Sequence, residues 1–257
     1  MVFNTIFKMK LTKAQLKEAQ QIKDIINKDI LSEEEIELVY SKYFPAYDNQ
    51  ISESGAFFTP LELAYDFANE PFGGGGVQPK EWKVIDLCAG IGILSYTLYN
   101  FHRKMPNITC VEKEPRFIEI GKKLLPNATW IEGDVTDENF IKSLGNNYDC
   151  VISNPPYGKI GGVCDWLDYK GAEFEYKVIE IGKHLSWQGV FLLPQNSAPF
   201  QLSGKPYYMD DRKPKKYEKF NKETGIELGA GIGFDTSIYM NDWKGTKIVT
   251  EICCVEY

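Results

Sequence analysis

Five short apolar runs recur along the middle of the chain, and a helix-length segment separates each run from the next. The runs are Trp82–Leu87, Ile108–Glu112, Thr129–Glu132, Asp149–Ile152 and Gly189–Leu193. Alternation of this kind is typical of strand–helix–strand units, which build parallel sheets. The pattern therefore predicts an α/β domain with a mostly parallel sheet.

The last part of the chain predicts an antiparallel end to this sheet. Lys247–Val255 has the composition of a further strand, and Ile226–Tyr239 precedes it across the turn-forming stretch Asn241–Gly245. Two strands that a short turn joins pair antiparallel. We therefore predict a C-terminal hairpin, with Phe234–Tyr239 in strand conformation.

The first fifty residues carry a helical pattern instead. Apolar side chains recur at helical spacing from Thr12 to Ile30, and Thr12 stands where an N-cap is needed. Ser32 and Glu35 have the spacing of a capping box for a second helix, which Pro45 ends. The expected organisation is a small helical extension over residues 1–50 and an α/β domain over residues 51–257.

The charge balance limits how this chain can meet nucleic acid. Its 36 acidic and 29 basic side chains give a formal net charge of -7, whereas non-specific coating of nucleic acid depends on neutralising phosphates. Any such contact must be local, and the best candidate is a basic stretch interleaved with Tyr217 and Phe220. Its cations are Arg212, Lys213, Lys215, Lys216, Lys219 and Lys222. A solvated helix face is an equally good interpretation of this stretch.

The cysteines predict neither a disulfide framework nor a metal site. Most of them lie in apolar, strand-like runs, and no C-x-x-C pair is present. With no signal pattern and no long uncharged apolar stretch, the expectation is a cytoplasmic protein with reduced cysteines and no membrane partner. The six are Cys88, Cys110, Cys150, Cys164, Cys253 and Cys254.

A glycine loop closes the first predicted strand. Asp86 ends the strand, and Gly90 and Gly92 precede the next helix. Glycines here let a ligand approach the backbone at the carboxyl edge, where open α/β sheets bind ligands. Glu112, at the end of the next strand, suits the two hydroxyls of a ribose. Asp134, after the third strand, suits the amino group of an adenine.

A dinucleotide-binding dehydrogenase is the main alternative for these features. It would place a third glycine at the helix start to receive a pyrophosphate, where this chain has Ser95. Asp86 would repel a phosphate and suits a cationic ligand, such as a sulfonium cofactor with an amino acid end. Two other glycine-rich segments lack the strand–loop–helix context: Gly73–Gly76 predicts a flexible connection, and Glu227–Gly233 predicts part of the hairpin.

A turn of Asn154, Pro155, Pro156 and Tyr157 follows the fourth predicted strand. The Asn154 amide oxygen and the Pro155 carbonyl suit the two N–H bonds of a flat amino group, whose conjugated lone pair they would draw toward an electrophilic methyl. The prolines fix their own φ angles, so the carbonyl is aimed before the substrate arrives. Tyr157 would stack on the acceptor. An ordinary strand-ending turn is the alternative.

A third motif, Gly55–Pro60, reads Gly-Ala-Phe-Phe-Thr-Pro. With this motif the sequence resembles Rossmann-like S-adenosylmethionine-dependent methyltransferases, specifically those that methylate the N6 amino group of adenine in DNA. The shared features are the G-x-F-F-T-P segment, the glycine loop and the N-P-P-Y turn. Their order is similar to the gamma arrangement of restriction-modification methylases, and the resemblance runs from Gly55 to about Pro194.

The resemblance implies S-adenosylmethionine as cofactor, a Rossmann-like sheet and no metal. Asp86, Gly90 and Gly92 would cradle the amino acid end, Glu112 the ribose and Asp134 the adenine. The implied cofactor residues are Phe57, Phe58, Thr59, Pro60, Asp86, Cys88, Ala89, Gly90, Gly92, Glu112, Asp134, Val135 and Asn154. The implied catalytic residues are Asn154, Pro155, Pro156 and Tyr157.

The same resemblance implies duplex DNA as partner, with the target adenine flipped out between Tyr157 and Phe200. Cytosine C5 methylation is not expected. It needs a cysteine nucleophile after a proline in the equivalent turn, and Asn154–Tyr157 contains no cysteine. Sequence readout would depend on the non-periodic segments Lys159–Lys170 and Gln201–Lys222, on a specificity subunit or on a homodimer. Two alternatives stay open: an RNA base or a protein glutamine as acceptor, and a non-catalytic nucleic-acid-binding module.

Overall fold

The computed structural model describes residues 12–45, 57–71, 82–103, 107–160, 164–211 and 213–257. The chain divides into two compact units, Met1–Ala56 and Phe57–Tyr257. The predicted boundary between residues 50 and 51, the glycines of Gly73–Gly76 and the cation Arg212 lie outside the described residues.

The first unit contains two helices, α1 (Lys13–Ile26) and α2 (Glu33–Lys42). Both begin with a capping box, in which the Thr12 and Ser32 side chains accept from backbone N–H groups three residues on. The predicted helix starts are therefore confirmed. Helix α1 ends four residues before the predicted Ile30, because the chain leaves the helix at its C-cap, Asn27, a residue type of low helix propensity.

The second unit is built on one sheet. Its described strands are β1 (Lys83–Leu87), β2 (Asn107–Glu112), β3 (Thr129–Glu132), β4 (Cys150–Ser153), β5 (Gln188–Pro194), β6 (Gly229–Ala230) and β7 (Thr250–Glu256). They lie in the order β3-β2-β1-β4-β5-β7-β6. Strands β1 to β5 pair in parallel, and β7 runs antiparallel to β5 and β6. The prediction of a mostly parallel sheet with an antiparallel end is confirmed.

The described helices of this unit are α3 (Leu61–Phe67), α4 (Ile93–Phe101), α5 (Pro115–Leu124), α6 (Glu138–Ser143), α7 (Phe174–Gly182) and α8 (Lys215–Thr224). Strand β4 is buried along its whole length and β1 at all but its first residue, as expected for strands with both faces covered. The strand order reverses between β1 and β4, and ligands of open α/β sheets bind at such a switch point. None of the described helices combines the length and the apolar character needed to cross a membrane.

The predicted strand at Phe234–Tyr239 is wrong, because Thr236–Tyr239 forms a 3-10 helix. The carboxylate of Asp235 starts this helix by accepting from the Ser237 and Gly204 amides, both at 2.9 Å. Gly233, with φ +86°, turns the chain just before it. The strand predicted to precede β7 in the hairpin is therefore reduced to the two residues of β6.

The segment Glu227–Gly233 surrounds a carboxylate of the protein itself. Glu70 is buried, and its oxygens accept from the Ile232 amide at 2.9 Å. A Cβ atom at Gly231 would lie 1.9 Å from Glu70 Oε2, so only glycine leaves room there. Gly231 thus makes room for an internal contact, and Gly229–Ala230 pairs with β7, in line with the prediction that this segment belongs to the C-terminal hairpin.

Candidate active site

The glycine loop after β1 is shaped by left-handed backbone conformations. Gly90 and Gly92 have φ angles of +59° and +88°, and Cys88 has φ +58°, which is strained for a residue with a side chain. A Cβ atom at Gly90 would lie 2.6 Å from the Phe58 ring. Phe58 therefore packs directly on the loop, with Phe117 edge-on behind it at 5.1 Å.

Asp86 is buried at the end of β1, at 1% exposure. Its Oδ2 accepts from Ser95 Oγ at 2.7 Å, whereas no described residue donates to its buried Oδ1. Burial raises the pKa of Asp86 to about 7, against the hydrogen bond from Ser95, which lowers it. Ser95, at the position where a dehydrogenase would have glycine, holds this carboxylate in place.

Glu112 lies beside the same loop, because its Oε2 accepts from the Gly90 amide at 2.7 Å. Its Oε1 accepts from the amides of Lys113 and Glu114 at 2.8 and 2.9 Å. Burial raises the pKa of Glu112, and these three donors oppose that shift. Each carboxylate oxygen can accept more than one hydrogen bond, so the side chain can also serve ligand hydroxyls.

Both carboxylate oxygens of Asp134 form hydrogen bonds within the protein, which the sequence does not indicate. Its Oδ2 pairs with Lys113 Nζ at 2.7 Å, and its Oδ1 accepts from the amide and hydroxyl of Thr136. Burial raises the pKa of Asp134, but these hydrogen bonds outweigh burial and leave that pKa below its ordinary value. The predicted contact with an adenine amino group would have to share Asp134 with Lys113, and it stays a prediction. Val135 next to it is buried.

Asn154 connects the turn after β4 to the segment before α3. Its Nδ2 donates to the Phe57 carbonyl at 3.1 Å and to Thr59 Oγ1 at 2.9 Å. A carbonyl can only accept, so this contact determines which end of the amide faces Phe57. Asn154 Oδ1 must therefore point the other way, where it accepts from the Tyr157 hydroxyl at 2.5 Å.

The two predicted substrate aromatics have different surroundings. The Tyr157 hydroxyl bonds to Asn154 and lies 3.3 Å from the Leu192 carbonyl, so stacking on an acceptor stays a prediction. Phe200 is only 2% exposed and stacks on Tyr208 at 5.4 Å. Because that burial leaves no free ring face, the prediction that Phe200 contacts the substrate is wrong for this arrangement. Tyr208, at 45% exposure, is the accessible ring of the pair.

A hydrogen-bonded chain behind the turn was not predicted. Glu175, at 1% exposure, accepts from the Gly158 amide and from Ser197 Oγ, both at 2.8 Å. Lys216 Nζ donates in turn to Ser197 Oγ at 2.6 Å. Gly158 directly follows Tyr157, so these hydrogen bonds hold the end of the turn at Asn154–Tyr157. An acidic residue at the start of a helix is too common to have signalled this role.

These residues fit S-adenosylmethionine. The buried Asp86 Oδ1 suits a cationic ammonium, because such a donor supplies both a hydrogen bond and a compensating charge. Gly90 opens the backbone where a side chain would collide with Phe58. Glu112 adds a carboxylate at the next strand end, as hydroxyl recognition requires. The described residues contain no group of three side chains placed to hold a metal ion.

Comparison with known proteins agrees with this geometry. Residues 77–164 match the family model "Methyltransferase small domain". A release factor glutamine methyltransferase of Mycolicibacterium smegmatis is 30% identical over 89 residues, 34% of this chain and 31% of that protein. A tRNA1(Val) (adenine(37)-N6)-methyltransferase of Haemophilus influenzae is 22% identical over 147 residues, 52% of this chain and 60% of that protein. The chain thus spans less than two thirds of either relative.

Solved structures share the fold. A type I restriction-modification methyltransferase subunit from Streptococcus thermophilus aligns with a TM-score of 0.56 at 18% identity, over 82% of this chain and 48% of that one. A putative class I S-adenosylmethionine-dependent methyltransferase from Listeria monocytogenes aligns with a TM-score of 0.54 at 15% identity. The alignment covers 95% of this chain and 88% of that one. The chain therefore has the Rossmann-like fold of S-adenosylmethionine-dependent methyltransferases, and its implied cofactor is S-adenosylmethionine.

Proposed function

We propose that the protein transfers a methyl group from S-adenosylmethionine to the exocyclic N6 amino group of adenine in DNA. The observation that carries this proposal is the fixed orientation of the Asn154 amide. Its nitrogen is held by Phe57 and Thr59, so its oxygen faces a hydrogen-bond donor. An amino group is such a donor, and the Tyr157 hydroxyl is the donor that Asn154 Oδ1 binds in this structure.

The chemistry follows from that orientation. When bound, S-adenosylmethionine supplies an electrophilic methyl group on a sulfonium. Asn154 Oδ1 and the Pro155 carbonyl accept from the two N–H bonds of the amino group, which makes its lone pair available for attack on that methyl. Methyl transfer would exchange the carbon–sulfur bond of the cofactor for a carbon–nitrogen bond, and the amino nitrogen held by Asn154 and Pro155 would lose one proton to solvent. Asn154 is only half-buried and Pro155 is buried, so a paired adenine must leave its stack to reach them.

Two observations bear on the acceptor. The contacts of Asn154 with Phe57 and Thr59 join the segment at 57–60 to the turn, so two of the motifs that carry the resemblance to the DNA enzymes meet in one place. The tRNA relative named above modifies adenine N6, so an RNA adenine is the second candidate. A specificity subunit or a second copy of the chain, as partners in DNA recognition, belongs to the proposal for DNA.

A methyl-transfer panel separates these acceptors. Purified protein with labelled S-adenosylmethionine would be offered unmethylated duplex DNA, single-stranded DNA, total RNA and a protein extract in parallel. The proposal expects incorporation into DNA that requires adenine in the strand and competes with unlabelled DNA. Incorporation into RNA alone would move the acceptor to RNA, and incorporation into protein alone would reject nucleic acid.

Replacing Glu175 by glutamine is expected to lower kcat about tenfold while the cofactor Kd stays the same. Gly158 and Ser197 donate to different oxygens of Glu175, and glutamine puts an NH2 group in place of one of them and removes the charge that faces Lys216 at 3.7 Å, so the turn is less well held. Steady-state methyl transfer and calorimetric cofactor titration check this expectation.

Glu180→Gln is the matched control, because Glu180 is equally buried on α7 and also accepts from two backbone amides, those of Asp168 and Tyr169. Both variants should lose similar thermal stability. Equal kcat values in the two would show that Glu175 contributes to folding and not to positioning.

A further inference from the structure

Helix α8 is a basic element on an acidic protein. Residues 213–224 contain five lysines and two glutamates, a net charge of +3 in a chain whose total is -7. Four of these lysines, Lys213, Lys215, Lys219 and Lys222, are exposed, and we refer to them as the lysine row. Since the remainder of the chain repels a polyanion, the lysine row is a place where phosphates gain local attraction.

The opposite face of α8 is fixed to the domain. Tyr217 and Phe220 are 2% and 0% exposed, so these two rings pack into the core and do not face a ligand beside the cations. Phe220 stacks on Tyr176 of α7 at 4.8 Å and meets Tyr169 edge-on at 5.5 Å. Three residues of the lysine row, Lys215, Lys219 and Lys222, are therefore presented by a packed helix, and Lys213 lies just before it.

Helix α8 is also attached to the chain that follows the catalytic turn. Glu223 accepts from the Lys170 amide at 2.9 Å. Lys216 reaches the backbone of Gly158 through only two intervening side chains, Ser197 and Glu175. Tyr169 and Phe220, one from each of the non-periodic segments Lys159–Lys170 and Gln201–Lys222, also meet edge-on at 5.5 Å. The helix that carries Lys215, Lys219 and Lys222 is thus linked by hydrogen bonds to Gly158, the residue that follows Tyr157.

Exposed aromatic rings stand in the segment that leads into α8. Tyr207 and Tyr208 are 67% and 45% exposed, and Tyr208 is backed by the buried Phe200. Bases that are not paired stack on such rings whatever their sequence, and basic side chains beside the rings follow the backbone. Cations and exposed rings in one segment are the combination that binds a single strand.

We propose that the lysine row binds the phosphate backbone of the acceptor strand, with Tyr207 and Tyr208 stacking its unpaired bases. This inference rests on the proposed function. It adds the surface on which the acceptor strand would bind. Acidic groups moderate the positive charge: Asp210 and Asp211 are exposed between the two rings and the lysine row, Glu218 is exposed on α8, and Glu223 lies 3.8 Å from Lys219. Binding therefore depends on the lysines together rather than on any one of them.

The test compares two variants with the same loss of charge. One carries glutamine at Lys213, Lys215, Lys219 and Lys222. The control carries glutamine at four exposed lysines elsewhere: Lys122, Lys123, Lys142 and Lys183. Fluorescence anisotropy with labelled single-stranded DNA, duplex DNA and RNA would be measured from about 50 to 200 mM salt, without cofactor.

The lysine-row variant is expected to bind about 10- to 100-fold more weakly at the lowest salt and to lose about three units of the slope of log K against log salt. The control should keep the wild-type values. If the fourfold variant melts at a lower temperature than the wild type, the double variant Lys215→Gln/Lys222→Gln replaces it, because it keeps the contacts of Lys219. This double variant should show about half of the loss of slope expected for the fourfold variant.

Equal affinity and slope in the lysine-row and control variants overturn the docking surface. Should the wild type still methylate nucleic acid in that case, the proposed function stands and only the surface is rejected. A wild type that neither binds nor methylates any of the three nucleic acids rejects the proposed function and the surface together.

Discussion

Asn154→Ala is expected to slow methyl transfer by about 10²- to 10³-fold, the usual effect of removing one preorganised polar group from a transition state. The alanine variant keeps the backbone of the turn but loses the oxygen that accepts from the amino group. Cofactor affinity should change much less, because Asp86, Gly90 and Glu112 are untouched. Single-turnover transfer with saturating cofactor, together with calorimetric cofactor binding, separates the two effects.

A second substitution, Asn154→Asp, tests the same role of the amide. Aspartate keeps two acceptor oxygens but cannot donate to the Phe57 carbonyl or Thr59 hydroxyl, so its orientation is lost. We expect it to be nearly as slow as alanine. Asn69→Ala serves as control, since within the described part of the chain the Asn69 side-chain amide donates to the carbonyls of Tyr65 and Asp66 and not to a residue of the turn. Near wild-type transfer by Asn154→Ala would contradict the role given to the amide oxygen.

Asp86→Asn is expected to weaken cofactor binding about 10- to 100-fold at pH 8, as loss of a buried charge-assisted hydrogen bond does. The wild-type affinity should itself depend on pH. Because the pKa of Asp86 lies at about 7, the carboxylate needed by an ammonium is lost as the pH falls below that value. Affinity should then drop up to tenfold per pH unit, and the asparagine variant should show no such drop.

The same substitution should stabilise the fold at alkaline pH. Folding raises the pKa of Asp86 from 3.8 to about 7, so the stability linked to its proton is full below pH 3.8 and lost as the pH rises through 7. A shift of about three units corresponds to at most about 4 kcal/mol. Asparagine never ionises. The Asp86→Asn variant should therefore melt several degrees above the wild type at pH 8, and the difference in melting temperature should be smaller at pH 5.

Thermal melts and cofactor titrations at pH 5, 6, 7 and 8 check both statements. A buried carboxylate that lowers stability while serving a ligand is the usual trade between activity and stability. An Asp86→Asn variant with unchanged cofactor affinity and no stability gain at pH 8 would show that Asp86 is a structural residue.

The parallel part of the fold was predictable because its signal is local. Each of the first five strands is an apolar run bounded by polar residues, and the structure places Thr129–Glu132 on the predicted residues. The 3-10 helix at Thr236–Tyr239 was not predictable in this way. It depends on the Asp235 carboxylate, which also binds the Gly204 amide 31 residues earlier.

The candidate site also contains residues that local sequence motifs predict and residues that they do not. Motifs at the strand ends identified Asp86, Glu112 and Asn154, because parallel strands bring their carboxyl ends to one edge. The Glu175–Ser197–Lys216 chain joins residues whose own surroundings in sequence are ordinary, so only tertiary packing reveals it. Phe200 was misjudged for a related reason: a loop aromatic is buried or exposed according to its partner, here Tyr208.

Nucleoside mass analysis of reacted DNA tests the central claim most directly, since it identifies the atom that receives the methyl group. Unmethylated duplex DNA would be incubated with the protein and deuterated S-adenosylmethionine, digested to nucleosides and compared with the Asn154→Ala reaction. The account predicts labelled N6-methyladenine with the wild type and almost none with the variant. Label on a ring carbon, on cytosine alone, or on no nucleoside despite cofactor binding would contradict it.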